Sequence, residues 1–331
     1  MNDTKRTIYL ILGKEFKRIS ETEFEVGEDL TDYQKILQKI SEENITEFVD
    51  MSSLDQQELG NPKQGRNSLI HLFRLFKAFN SSGIKTNFRF NLLVKNANLI
   101  NQTEKISPSA AALIGFTKVV DEEFPNMEVQ MVDVDENTSR EQILQQLSTS
   151  KPKYLIAYRK DRAYIPVMNE KVFQAENGFG LKIQPQGTYL ITGGLGGLGL
   201  EMAQYIASKS QARIILVNRS VFPSRSDWED IKDEGIREKI KILKQIEKSG
   251  SSLVIKQLDI TSETEISQLA KFVGNLSGNL PTVRDLRVIG FIYNKDEKEF
   301  ATVVSPKTYG LELIDKYLVS PKLDVSCSTL F

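Results

Sequence analysis

The stretch "TYLITGGLGGLGLEMAQYIA", residues 188–207, decides how this chain is read. Thr188 to Thr192 is a β-rich apolar run, residues 193–199 hold five glycines in seven positions, and an amphipathic helical pattern follows. A strand, a glycine-rich turn and a helix in that order form a cradle for a dinucleotide pyrophosphate. Glycine serves where the chain must turn with positive φ, where a phosphate meets backbone, and where helix packs on strand. The helix start adds free N–H groups and a positive dipole end. Gly194, Gly196 and Gly199 fit G-x-G-x-x-G, and Thr192, Gly193, Gly197 and Gly199 fit T-G-x-x-x-G-x-G. Thr192, Gly193, Gly194, Leu195, Gly196, Gly197 and Leu198 are therefore the candidate contacts to a cofactor.

Downstream, "ARIILVNRS" (212–220) reads as a second strand, and "DEGIREKIKILKQIEKSG" (233–250) as a helix with a glycine cap. "SSLVIKQLDIT" (251–261) is a third strand, and "SETEISQLAKFVGNL" (262–276) a helix whose Ser262 and Glu265 are spaced as a capping box. That is the β-α-β-α-β order of a mononucleotide-binding half. The end of the second strand reports the dinucleotide: an acid there suits the 2′-hydroxyl of NAD, a cation the 2′-phosphate of NADP. Asn218, Arg219 and Ser220 include no acid. Arg219 can hold a phosphate in a fork and Ser220 can add a hydroxyl, so NADPH is favoured over NADH, a solvated surface arginine being the plainer alternative. Asp259 and Ile260 end the third strand, where an adenine edge commonly lies.

Upstream, strand-like and helix-like runs alternate: 7–13, 32–43, 45–51, 67–83, 86–97, 107–125 and 127–135, with a hairpin over 153–168 turning at Lys160-Asp161. Alternation of this kind predicts a parallel sheet with helices on both faces. Gly13 is followed by "KEFKR", which gives a pyrophosphate no bare backbone to approach, so this half reads as a Rossmann-like scaffold without a cofactor. The polar, glycine-bearing segment 169–187 marks the boundary. The fold class is therefore α/β with two Rossmann-like parallel-sheet subdomains, 1–183 cofactor-free and 184–331 cofactor-binding.

Composition narrows the functional classes. The 331 residues carry 43 Lys and Arg against 44 Asp and Glu, a net charge of −1. Nucleic acid or an anionic membrane as main partner would call for a basic surface. No run approaches the roughly 20 apolar residues of a membrane span, and a cytoplasmic setting is the simplest reading. Cys327 is the single cysteine, and no Cys/His cluster suggests a metal. His71, the single histidine, lies among Leu69, Leu72, Phe73, Leu75 and Phe76 at helical spacing and reads as a packed helix-face residue rather than a general base.

With these motifs in order, the second half resembles the ketoreductase domain of modular polyketide synthases, of the extended short-chain dehydrogenase/reductase family. "GTYLITGGLGGLGLEMAQYIA", "IILVNRS", "LDIT" and "VVSPKTYG" carry the likeness. "PSAAALIGFTKVVDEEFPNMEVQMVDVD" in the first half resembles the same domain's structural subdomain. The resemblance implies NADPH-dependent reduction of a β-ketoacyl thioester on acyl carrier protein, beside neighbouring synthase domains. It implies a lysine, a serine and a tyrosine as catalytic groups. Lys307 in "SPKTYG" matches the lysine, and Ser328 is the nearest match to the serine.

Two departures accompany the likeness. Residues 281–304 lack the family's His-Ala-Ala-Gly-like strand end, and the tyrosine's place falls beyond Phe331. Tyr205 and Lys209 have Y-x-x-x-K spacing, but on the wrong helix, and Tyr309 would have to leave its helix to serve. Two readings stay open: a ketoreductase domain inactive or incomplete as this chain stands, and a non-catalytic module that at most retains the cofactor.

Overall fold

A computed structural model describes residues 7–42, 45–54, 62–82, 84, 87–170, 183–275, 282–283 and 296–318. The chain divides into two compact units, one of residues 1–170 with 290–304 and the other of residues 171–289 with 305–331. The polar segment that separates the halves in sequence thus lies at the start of unit 2, and a short later segment returns to unit 1.

Unit 1 is built on an eight-stranded sheet of order β2-β3-β1-β4-β5-β6-β7-β8. Its strands are β1 (Thr7–Leu12), β2 (Lys17–Arg18), β3 (Glu23–Val26), β4 (Glu47–Asp50), β5 (Phe88–Lys95), β6 (Met127–Val134), β7 (Leu155–Arg159) and β8 (Arg162–Tyr164). Pairing is parallel from β3 to β7, and antiparallel only at the outer pairs β2/β3 and β7/β8. The central strand β5 is buried over most of its length, as a strand covered on both faces must be. Its alternation sends Phe90, Leu92 and Val94 into a cluster with helices α1 (Leu30–Glu42), α2 (Pro62–Ser82) and α3 (Pro108–Glu123). Leu93 turns to the other face, where Ile143 and Leu147 of α4 (Arg140–Leu147) cover Val132 and Ile156.

Local chemistry fixes several boundaries. Ser107 caps α3, its hydroxyl accepting from Ala110 N, with Pro108 in the first turn as the sequence predicts. The β7/β8 hairpin turns at Lys160, whose φ is 54°. The β2/β3 hairpin was not foreseen. The four residues "EFEV" offer only Phe24 and Val26 as inward positions, too brief a period-2 signal to stand out among charged neighbours.

Unit 2 holds a four-stranded parallel sheet of order β11-β10-β9-β12: β9 (Thr188–Thr192), β10 (Arg213–Asn218), β11 (Ser252–Gln257) and β12 (Thr282–Val283). Tyr189, Ile191, Ile214 and Leu216 pack towards α5 (Gly197–Lys209) and α6 (Glu234–Lys248). Leu190, Ile215 and Val217 pack the other way, towards α7 (Glu263–Gly274) and α9 (Tyr309–Leu318). Ser262 caps α7, but the capping box does not close: Glu265 Oε2 accepts from Asp259 N instead of turning back to Ser262. Gly250 ends the α6 region with φ 89°, the left-handed stop its sequence suggests. No described helix is long and apolar enough to cross a membrane.

Helix α8 (Glu297–Lys307) begins in unit 1. Glu297 takes two hydrogen bonds from Arg74, at 2.8 and 2.6 Å, and Phe300 stacks on Phe73 with ring centres 4.5 Å apart.

Candidate functional site

The strand order places the glycine loop at a topological switch point. β10 and β11 follow β9 to one side, while β12 pairs with β9 on the other, with Thr282 opposite Leu190. In open α/β sheets the crevice for a ligand lies beyond the strand ends at this reversal. Thr192, buried, closes β9 there and pairs in register with Val217.

The loop conformation uses its glycines differently. Gly193 has φ 66°, which an L side chain rarely adopts. At Gly199 a Cβ would sit 2.6 Å from Gly193 O and 2.7 Å from Gly194 Cα, so helix and turn meet through bare backbone. Gly194 N donates to Val217 O, and Gly196 N to Gly193 O. Leu195 is buried against the unit 2 core, whereas Leu198 is exposed.

Gly197 is the exception. A Cβ there would meet nothing within 4 Å, so no contact inside the protein calls for glycine. Gly196 caps α5 without a side-chain hydrogen bond, which leaves the first-turn N–H groups without a capping acceptor. A bare first turn with orphan donors suits a pyrophosphate, and these residues fit the group.

The ends of the neighbouring strands lie alongside. Asn218 pairs in register with Gln257, and Leu258 N donates to Asn218 O. Asn218 Nδ2 donates to Ser220 O, shaping the turn that presents Arg219 and Ser220, both exposed. Among the described residues Arg219 has no ion-pair partner. Asp259 spends Oδ1 on its own turn, accepting from Thr261 N and Oγ1, while Ile260 faces α9. The structure thus brings together the glycine loop, Asn218 to Ser220 and Asp259 to Ile260 at one end of one sheet.

The sequence reading passed over one part of this region. A hollow of about 240 Å³ adjoins Asn218 and Ser220, with Phe222, Trp228 and Lys256 in its wall. Trp228 is buried, its indole N–H donates to Pro223 O, and the Arg225 guanidinium lies over its ring while pairing with Glu247. The one tryptophan of the chain, set in a polar loop just after the second strand, was the available signal. A larger hollow in unit 1, about 860 Å³, is bordered by charges already paired with each other, Lys35 with Asp32 and Arg74 with Glu297.

Of the catalytic candidates, Lys307 closes α8 immediately before the break at Thr308; it does not open a helix. Ser328 and Cys327 lie outside the described residues, as does most of the departure at 281–304, of which 282–283 and 296–304 are described. Tyr309 opens α9 and packs on that helix's apolar cluster, and Tyr205 lies on α5 with Lys209 Nζ 5.4 Å from its ring centre. His71 is buried, with Asp50 and Tyr33 on its two ring nitrogens, which agrees with a packed structural residue. Among the described residues no group of His, Cys, Asp and Glu could hold a metal.

A parallel sheet with a glycine-rich turn at its switch point is an α/β fold of the Rossmann class. Residues 187–329 match the KR domain family, and residues 1–150 match the family described as beta-ketoacyl synthase-like, N-terminal. The chain is 31% identical over 222 residues to a 6-methylsalicylic acid synthase of Penicillium patulum, covering 63% of this chain and 12% of that protein. It is 28% identical over 241 residues to polyketide synthase PksN of Bacillus subtilis, covering 70% of this chain and 4% of that one. An N-terminal ketoreductase from the macrolactin assembly line has the same fold, with a TM-score of 0.75 at 22% identity over 96% of this chain and 63% of the other. Residues 187–329 are a KR domain of the kind carried by polyketide synthases, and KR domains are short-chain-dehydrogenase-like oxidoreductases that use a nicotinamide cofactor. The chain spans about an eighth or less of the length of these two synthases.

Proposed function

We propose that this chain is the NADPH-binding ketoreductase domain of a cytoplasmic polyketide synthase. Its substrate is a β-ketoacyl thioester on acyl carrier protein, reduced to the β-hydroxyacyl form beside neighbouring synthase domains. Residues 1–183 serve as the cofactor-free scaffold, and 184 onward hold the cofactor. The observation that carries the reading is the open first turn of α5 at Gly197, with unpaired Arg219 presented from the next strand.

Bound NADPH supplies hydride for the ketone carbon. Thr192 to Leu198 would hold the pyrophosphate, with the α5 N–H groups opposing its charge. Arg219 and Ser220 would hold the 2′-phosphate, the first through a fork and the second through its hydroxyl. Asp259 and Ile260 would border the adenine. Lys307 would orient the ribose and favour the ionised form of a nearby proton donor through its charge. Ser328 would hydrogen-bond the ketone oxygen.

Titration of the chain with NADPH and NADH, read by Trp228 and nicotinamide fluorescence, tests the cofactor reading. Arg219→Ala should weaken NADPH by about 10- to 100-fold, the range for hydrogen bonds to a charged group, and leave NADH nearly unchanged. An equal loss for both cofactors would remove Arg219 from the 2′-phosphate. A second reading, a cofactor-retaining docking module without turnover, is favoured by the packing of Tyr309 against the apolar cluster of its own helix. Turnover of a β-ketoacyl thioester surrogate above a Lys307→Ala control would exclude it.

A further inference from the structure

Helix α9 approaches the end of the third strand more closely than side chains ordinarily permit. A Cβ at Gly310 would lie 3.0 Å from Ile260 Cγ1, 3.2 Å from its Cδ1 and 3.3 Å from its carbonyl oxygen. Gly310 is buried, and the helix it opens is held along its length. Leu313, Ile314 and Leu318 are buried against Leu190, Ile215 and Val217, and Lys316 Nζ and Tyr317 Oη each lie 2.7 Å from Glu263 Oε1. The helix therefore cannot slide outward at its first turn without disturbing those contacts. Lys307 stands three residues before Gly310, with only the break at Thr308 and Tyr309 between them, and Glu312 N donates to Thr308 O across the start of the helix.

Not every helical glycine in this unit has such a neighbour. Gly274, at the end of α7, has nothing within 4 Å of its would-be Cβ. Alanine is the better helix former, so an uncrowded helical position favours it over glycine. At Gly310 a methyl would press on the Ile260 side chain and carbonyl.

We propose that Gly310 is a positioning residue. By letting α9 seat closely on Ile260, it sets where the α8/α9 break stands and so holds Lys307 at a fixed place relative to the strand ends that border the cofactor. This rests on the NADPH reading above. It adds that cofactor orientation by Lys307 depends on the close seat of α9 on Ile260, with no direct contact from Gly310 to the cofactor.

The test is an NADPH fluorescence titration of the full chain and of Gly310→Ala, Lys307→Ala and the double variant, with Gly274→Ala as the helical-glycine control. Gly310→Ala should weaken NADPH about tenfold, and should add little, within about twofold, once Lys307 is alanine, because residues acting through one interaction are not additive. Gly274→Ala should leave the affinity unchanged. An equal loss from Gly310→Ala in both backgrounds overturns the proposal. If Gly310→Ala does not fold, the comparison moves to an Ile260→Ala background, where both colliding side-chain carbons are gone. There the added methyl should be tolerated within about twofold, and a tenfold loss again overturns the proposal. Absence of NADPH binding by the unaltered chain overturns the cofactor reading itself, and the positioning role with it.

Discussion

His71 Nε2 lies 2.7 Å from Asp50 Oδ2, and both residues are buried in unit 1. The other ring nitrogen, Nδ1, is 2.8 Å from the Tyr33 hydroxyl, while Asp50 Oδ1 accepts from Ser52 N and Oγ. Burial pushes the Tyr33 phenol well above its ordinary value, so it keeps its proton and can donate to Nδ1. The geometry suits the tautomer with hydrogen on Nε2. Burial acts to raise the Asp50 carboxyl, but its interaction with His71 and the hydrogen bonds from Ser52 outweigh it and hold it below its ordinary value of 3.8.

A depressed carboxyl contributes stability that is present above its unfolded value and is lost as pH falls through the lower folded value. His71→Ala removes the largest of the interactions that offset burial of Asp50, so loss of stability on acidification should begin at higher pH, with the midpoint of acid unfolding moving up by about 1 unit. At neutral pH the variant should lose about 3 kcal/mol, since a buried carboxylate is left short of a partner. Circular dichroism against pH and urea checks both. An unchanged acid midpoint would show that Asp50 does not depend on His71.

Gly197 and Gly199, two residues apart, should respond oppositely to alanine. Gly197→Ala adds a methyl to open space, so melting temperature should hold or rise while NADPH affinity falls about tenfold as the cradle fills. Gly199→Ala drives a methyl into the Gly193 carbonyl and should cost about 1–3 kcal/mol of stability before any ligand is added. Thermal melts with and without NADPH separate the two effects. Destabilisation by Gly197→Ala would mean that its glycine serves the fold alone.

Phe300 anchors α8 within unit 1 by stacking on Phe73 and meeting Phe116 edge-on at 5.9 Å. Phe300→Ala should destabilise unit 1 by about 2 kcal/mol, less than a fully buried ring because Phe300 is half-buried. Glu297→Gln should cost no more than about 1 kcal/mol and lose that effect in high salt, because Glu297 is well exposed. Urea denaturation at low and high ionic strength distinguishes the two. A loss from Glu297→Gln that salt does not reduce would contradict a screened surface pair.

Trp228, the one tryptophan, lies in unit 2 beside the hollow at Asn218. Its emission should follow unfolding of unit 2 and be quenched by NADPH in the unaltered chain but not in Gly199→Ala. His71→Ala, in unit 1, should leave that quenching in place when the chain is folded. Loss of quenching there would show that the two units do not respond separately.

Where alternation and caps are strong, sequence and structure agree closely. Ser107-Pro108 starts α3, Gly250 follows α6, and "TYLIT" and "RIILVN" are the buried parallel strands of unit 2. Each signal is local: a capping hydroxyl, a positive-φ stop, a run of residues that must face two layers at once. "EFEV" escaped because two inward side chains do not make a period, and its place beside β1 is set by pairing across intervening sequence. His71 was placed correctly as a packed residue, but its partners come from α1 and the end of β4.

The sequence by itself determined that a glycine-rich turn joins a strand to a helix, that no acid follows the second strand, and that a lysine stands in "SPKTYG". These depend on residue type and near-neighbour spacing, which the chain carries in one dimension. Only the tertiary structure distinguished Gly197, free of internal contact, from Gly199, pressed against Gly193, and showed Gly310 against Ile260. It also assigned residues 297–304 to unit 1, although they follow the cofactor loop in sequence. Glycines are identical in sequence and differ only in what lies where a Cβ would be. That depends on how distant segments pack, and spacing along the chain does not encode it.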